Sequence, residues 1–219
     1  PVTGDDDLND GLSWESPFYT ITNTLPKVVG TLENPVTINL AEGTFSPSTT
    51  GELFPILMIS NINLVGQDEE LSILDAEETD RVIIIDDIVN NTISDLSITG
   101  GKTGVTSSCS GNLNINSDIC NGAGMFIIDA HPTLINLTIV DNWTNDYGGG
   151  IRLTNANPAL SNVTVKDNNY FSTSDFGSQV DLNGGLIKNS IIRGGSTVLK
   201  GVDNVNYSNI FLFPSETFN

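Results

Sequence analysis

Apolar and polar residues alternate along this chain in short bursts, and the bursts recur. Ile62 and Leu64 flank Asn63, Leu96 and Ile98 flank Ser97, Leu137 and Ile139 flank Thr138, and Val163 and Val165 flank Thr164. A period of two places alternate side chains on opposite faces of a strand. The apolar members are expected inside, and Asn63, Ser97, Thr138 and Thr164 outside. Helical spacing is almost absent. The exception follows Ser16-Pro17, where Phe18, Ile21 and Leu25 recur at helical intervals. Ser16 reads as an N-cap and Pro17 as the first helical position, which predicts a short helix over residues 16–25.

The bursts belong to a longer repeat. Gly124-Met125-Phe126-Ile127 matches Gly150-Ile151-Arg152-Leu153, 26 residues on. The segment from His131-Pro132-Thr133-Leu134 to Asp141-Asn142 matches that from Asn157-Pro158-Ala159-Leu160 to Asp167-Asn168 at the same offset. His131, the only histidine, holds the position that Asn157 fills in the next copy, which assigns it to a turn. Further copies start at Asn61, Asp95 and Asn189, with a degenerate one near Ser208, and the spacings from Asn61 to Asn189 are 34, 41, 26 and 27 residues.

A coil of 26 residues holds three short strands and three turns. Stacked coils pair each strand with its copy above and below, so the backbone is satisfied between coils. The fold read from this pattern is all-β: a right-handed, single-stranded parallel β-helix with a short N-terminal capping helix. The leucine-rich repeat, its nearest rival by period, needs a leucine and asparagine spacing that does not occur here. One domain spans 1–219: a cap over 1–34, coils over 35–210 with insertions at about 101–121 and 169–179, and a C-terminal cap or truncation over 211–219.

Composition narrows the function. The chain is 38% hydrophobic and 16% charged, too apolar for a disordered protein. Eight Lys and Arg stand against 27 Asp and Glu, a net charge of −19, which excludes nucleic-acid binding through phosphates. No apolar run is long enough to cross a membrane as a helix. Cys109 and Cys120 lie in a polar stretch with no histidine nearby, so a disulfide closing a surface loop is expected, in keeping with an exported protein. Asp5, Asp7, Asn9 and Asp10 alternate like the oxygen ligands of a Ca²⁺ loop. Glu15 falls one residue short of the closing ligand position, which Ser16 occupies, so a solvated turn held by Asx bonds is the alternative. Tyr147, Tyr170 and Phe171 sit near an insertion and offer rings on which sugars can stack.

The opening Gly4-Asp5-Asp6-Asp7-Leu8-Asn9-Asp10-Gly11, followed by Ser16-Pro17-Phe18-Tyr19-Thr20-Ile21, resembles the start of bacterial pectate-lyase-like β-helix proteins. So does Ile38-Asn39-Leu40-Ala41-Glu42-Gly43-Thr44-Phe45. Gly148-Gly149-Gly150-Ile151 and Ile139-Val140-Asp141-Asn142 are similar to the repeats of polymorphic outer-membrane proteins. The tail Gly185-Leu186-Ile187-Lys188-Asn189-Ser190-Ile191-Ile192 resembles the last coils of large secreted surface proteins, which makes this chain an expected part of a larger one.

The resemblance implies the fold and export, not an activity, because lyases, hydrolases and adhesins share this architecture. In the lyases it implies carboxylates holding Ca²⁺ and an Arg or Lys as base, for which Arg152, with Asp129 and Asp181 on neighbouring strands, is the best match here. Two functional readings follow. The first is a secreted or cell-surface module that binds glycans or serves as structure, without catalysis. The alternative is a lyase or hydrolase of acidic polysaccharides, with Ca²⁺ as cofactor. The strong negative charge repels polyuronates unless a cation bridges them, which favours the first.

Overall fold

A computed structural model describes residues 4–104, 120–144, 147–170, 180–181 and 185–193. The chain winds as a right-handed parallel β-helix of about five turns. Strands β1 (Val36–Asn39), β2 (Gly43–Phe45) and β3 (Ile56–Leu57) form the first turn, and β4 (Ile62–Val65), β5 (Ser72–Asp75) and β6 (Ile83–Asp86) the second. Strands β7 (Thr92–Thr99) and β8 (Met125–Ile128) follow. Then come β9 (Thr133–Val140), β10 (Trp143–Thr144) and β11 (Ile151–Thr154). The last described are β12 (Ala159–Lys166), β13 (Asn169–Tyr170), β14 (Val180–Asp181), β15 (Leu186–Lys188) and β16 (Ile191–Arg193). They line up as a nine-stranded sheet, a five-stranded sheet in the order β14-β11-β8-β6-β3, and the pair β10-β13.

The 26-residue offset is the register of the stack. Thr133 pairs with Ala159, Met125 with Ile151, and Val36 with Ile62, all in parallel. The inward members of the alternation are buried: Ile62, Leu64, Leu96, Ile98, Leu137, Ile139, Val163 and Val165 all belong to one core. Two expectations change. The 34-residue spacing from Asn61 to Asp95 is not a pairing register. Strand β7 is long enough to pair twice, Leu64 with Ile93 and Leu74 with Ile98, so the second coil contributes two short strands where the third has one. Ser97 is buried, because the turn after β4 folds over it and its hydroxyl donates to the Glu69 carbonyl at 2.5 Å.

The long strands, and the link between β15 and β16, turn a corner at a residue in the left-handed region: Asp95, Asn136, Asn162 and Asn189 have φ of 59°, 49°, 56° and 46°. Asx side chains tolerate this conformation better than others. They also bond to one another along the axis, Asn136 Nδ2 donating to Asp95 Oδ1 at 2.7 Å and Asn162 Nδ2 to Asn136 Oδ1 at 3.1 Å. The Asp-Asn pairs mark the next corner. Asp141 and Asp167 take positive φ, which sends Asn142 and Asn168 inward to full burial. Asn142 Nδ2 donates to the Ile98 carbonyl at 3.1 Å and its Oδ1 accepts from Gly101 N at 2.8 Å, while its own N–H donates to Asn168 Oδ1 at 3.0 Å. The glycine ahead of β8 has a steric reason too. A Cβ on Gly124 would lie 2.5 Å from the Gly150 carbonyl oxygen and 3.0 Å from Asn142 Nδ2.

The cap differs from the 16–25 helix read from the sequence. Helix α1 covers only Ile21–Thr24, with Thr20 as its N-cap, and a 3-10 turn follows at Leu25–Lys27. Residues before Thr20 are held in other bonds. The Pro17 carbonyl accepts from Asp5 N at 3.0 Å, and the Asp6 carboxylate accepts from the N–H groups of Tyr19 and Thr20 at 2.8 and 3.1 Å. Glu52, fully buried, then pins α1 to the first coil, taking the N–H of Ile21 at 2.7 Å and of Thr22 at 2.9 Å. The segments 105–119 and 194–219, which contain most of the first insertion and the expected C-terminal cap, lie outside the described residues.

Replacing Asn142 with Leu strands the Gly101 N–H and the Ile98 carbonyl without their side-chain partner. A loss of about 2–4 kcal/mol in urea unfolding is expected. Burial pulls the Asp6 pKa upward, but bonds from the Thr20 N–H, the Asn23 side chain, the Thr20 hydroxyl and the Tyr19 N–H outweigh it and hold the carboxyl below its usual range. Such a group stabilises the fold above its unfolded value of about 3.9, and the contribution is lost as pH falls through the lower folded value. Asp6→Asn is therefore expected to lower stability at pH 7 and to flatten the decline below about pH 4, read by thermal unfolding across pH.

Candidate functional site

The outer face of the five-stranded sheet carries the catalytic candidates. Its inward side chains, Ile56, Ile83, Met125, Ile151 and Val180 among them, are fully buried in the core. Alternation then sets one outward row across the coils by register: Leu57, Ile84, Phe126, Arg152. The row runs from apolar at the N-terminal end to charged at the other.

Arg152 and Asp181 are cross-strand partners. Asp129 is not in that row. It follows the end of β8 at a turn with φ 47°, three residues beyond Phe126, so about 10 Å of strand separates it from the row. There it accepts a hydrogen bond from the Asn155 side chain of the next coil. The trio expected from the sequence is thus a pair and an outlier. His131 behaves as a turn residue: its Nδ1 accepts from the N–H of Asn157 at 3.0 Å, one coil on.

Around Arg152 the face is built from cations laid on rings. The Arg152 guanidinium sits 4.9 Å from the centre of the Tyr147 ring. The Arg81 guanidinium sits 5.1 Å from that of Phe126 and donates to the Asn121 carbonyl at 3.0 Å. Such stacking retains a charged group at little desolvation cost. Phe126 points away from the core yet is almost fully buried, because Gly122 packs on it: a Cβ on Gly122 would lie 2.9 Å from Phe126 Cβ and 3.0 Å from Arg152 Cβ. Asn121 also positions Tyr147, accepting from its N–H at 2.9 Å. Asn121 Nδ2 is buried and has no acceptor among the described residues.

Of the expected sugar-stacking residues, Tyr147 is therefore on this face, next to Arg152. The Tyr170 backbone pairs in β13 with Thr144, but its side chain and Phe171 lie outside the described residues. Arg81 and Phe126 were not singled out from the sequence, since their juxtaposition depends on the coil-to-coil register. Cys120 is buried, and its expected partner Cys109 lies outside the described residues.

Asp5, Asn9 and Asp10 of this segment spend side-chain atoms on hydrogen bonds to the main chain. Asp5 Oδ1 accepts from the N–H groups of Asp7 and Leu8 at 2.9 and 2.8 Å, Asp10 Oδ1 accepts from Leu12 N at 3.0 Å, and Asn9 Nδ2 donates to the Pro17 carbonyl at 2.6 Å. Among the described residues no three His, Cys, Asp or Glu side chains gather as a metal-binding group.

Comparison with known proteins places the fold. A candidate glycosyl hydrolase from Parabacteroides merdae ATCC 43184 superposes with a TM-score of 0.57 at 12% identity, covering 93% of this chain and 92% of that one. A pectin methylesterase solved in complex with a hexasaccharide gives 0.48 at 13% identity, over 88% of this chain and 63% of its own. The pectin methylesterase PemA from Erwinia chrysanthemi gives 0.48 at 12%, over 82% and 52%. The first likeness shows a shared fold. None of the curated proteins matches the sequence. A family model described as a protein of unknown function, DUF1565, matches residues 2–209, and this β-helix belongs to that family.

Proposed function

We propose that this chain is a secreted or cell-surface β-helix that holds a polysaccharide on the outer face of its five-stranded sheet without cleaving it. The observation that carries the reading is the Tyr147–Arg152 stack, set in register beside Asp181. A ring fixed against a guanidinium loses little side-chain freedom on binding, so it serves as a rigid platform. A tyrosine offers an apolar face to the C–H surface of a sugar and a hydroxyl to its rim. The guanidinium fork donates to ring oxygens and hydroxyls. A coil repeat also presents these groups on a long surface, which suits a polymer more than a small molecule.

Binding is favoured over catalysis by the chemistry of the residues in place. A guanidinium stays protonated at any ordinary pH, and its stacking on Tyr147 stabilises the cation further, the opposite of what a general base needs. Asp129, the second carboxylate of the lyase reading, is held by Asn155. The fold neighbour from P. merdae, described as a candidate glycosyl hydrolase, is in keeping with a carbohydrate ligand. A Cys109–Cys120 disulfide belongs to the same proposal and would anchor the insertion beside Asn121, on which both Arg81 and Tyr147 lean.

The test is affinity electrophoresis against immobilised neutral and acidic polysaccharides, with and without Ca²⁺, beside an assay for new reducing and unsaturated ends. Retention without new ends is expected, with Tyr147→Ala and Arg152→Ala each weakening it about tenfold, the loss of roughly 1.4 kcal/mol. New chain ends that vanish in Arg152→Ala would instead establish the lyase or hydrolase reading.

A further inference from the structure

The first coil of the solenoid ends in an unfinished sheet edge. Among the described residues strand β1 pairs only with β4. Val36 and Leu40 donate to the carbonyls of Asn61 and Val65 at 3.0 and 2.8 Å, so the even-numbered residues of β1 face the next coil. In a parallel ladder both the N–H and C=O of the intervening residues then point the other way. Those residues are Thr37 and Asn39, both exposed, and neither main chain has a hydrogen-bond partner among the described residues. The other first-coil strands are closed off. The Thr44 carbonyl of β2 accepts from the Thr49 hydroxyl at 2.5 Å, and α1 packs against β3.

Beside this open edge lies a cleft of about 690 Å³, the size of a binding site. Trp14, Phe18 and Tyr19 of the N-terminal arm form one wall, and Ile38 and Leu40 of β1 the floor. The arm passes the edge without pairing to it, because Asp6 and Pro17 hold it in turns of its own. Trp14 is 53% exposed although it lines an apolar cleft. The surroundings are acidic. Residues 4–45 contain seven carboxylates and one cation, Lys27, and that cation is engaged on the Phe18 ring and the Asp6 carbonyl. Asp10 and Glu42 lie on the cleft itself.

We infer that this cleft binds an extended basic peptide, which adds to β1 as one more strand of the stack. Free main-chain donors and acceptors on a sheet edge are matched by a peptide strand, and alternate apolar side chains of that strand would continue the column of Ile38. Lysines on the opposite face would meet Asp10 and Glu42, and the acidity of the whole chain draws a cationic segment toward the site. This inference is independent of the polysaccharide reading, which concerns the other face of the coil.

The probe is a fluorescein-labelled heptapeptide of alternating valine and lysine, with two controls: the same peptide with glutamate for lysine, and the same peptide N-methylated at alternate residues. The lysine peptide is expected to bind, quench Trp14 fluorescence and slow the hydrogen exchange of the Thr37 and Asn39 amides. The glutamate and N-methylated peptides should bind at least tenfold more weakly. The double variant Asp10→Asn, Glu42→Gln, at two exposed positions, should weaken the lysine peptide several-fold without moving the unfolding midpoint. Equal binding of the N-methylated peptide, protection elsewhere than at Thr37 and Asn39, or Trp14 quenching by cellohexaose and not by peptide would each overturn the inference.

Discussion

Everything in this molecule depends on the pairing of each strand with its copy one coil away. No coil can bury its own apolar residues or satisfy its own backbone; it does both only against its neighbours. The constraint fixes the register, and the register places every side chain that matters. At the corners, where strands cannot continue, the same axial logic reappears in side chains: Asp95, Asn136 and Asn162 form one outer ladder, and Asn142 and Asn168 an inner one. The inner ladder puts amides in the core, where a polar group is tolerated only if it is bonded. Each of those asparagines meets that condition by reaching carbonyls of its own coil and of the one before.

The register also explains how so acidic a chain handles its few cations. Lys27, Arg81, Lys102 and Arg152 each lie over an aromatic ring, and Lys102 also makes an ion pair with Glu78 at 2.5 Å. Cations placed on rings contribute packing area as well as charge. Two of these stacks meet on the outer face of the five-stranded sheet through Asn121, and that convergence sets this face apart from the carboxylate-rich surface elsewhere.

Much of the fold was legible in the sequence because the physics that sets it is local and periodic. The copies around Leu137 and Val163 show both the strand alternation and the 26-residue offset in plain view. The misreadings share a cause. Asn61 to Asp95 looked like one repeat because both begin the same motif, whereas β7 divides its pairing between β4 and β5. The helix at residues 16–25 looked well capped by Ser16 and Pro17, but Asp6 and Glu52, distant in sequence, take the N–H groups that decide where α1 starts. Arg81 on Phe126 and the open edge of β1 were invisible for the same reason. Each exists only once distant segments are brought together. Asp129 was read as a strand residue from its place in the repeat, and its positive φ put it at the turn instead.

Hydrogen exchange on the free protein, residue by residue, tests the axial-pairing account most directly. Amides that face a neighbouring coil or an inward asparagine, those of Ile38, Leu40, Gly101 and Asn142, should exchange slowest. Those of Thr37 and Asn39, in the same strand as Ile38 but turned to the open edge, should exchange as fast as surface loops. Uniform protection along β1, or rapid exchange at Gly101 and Asn142, would contradict the account.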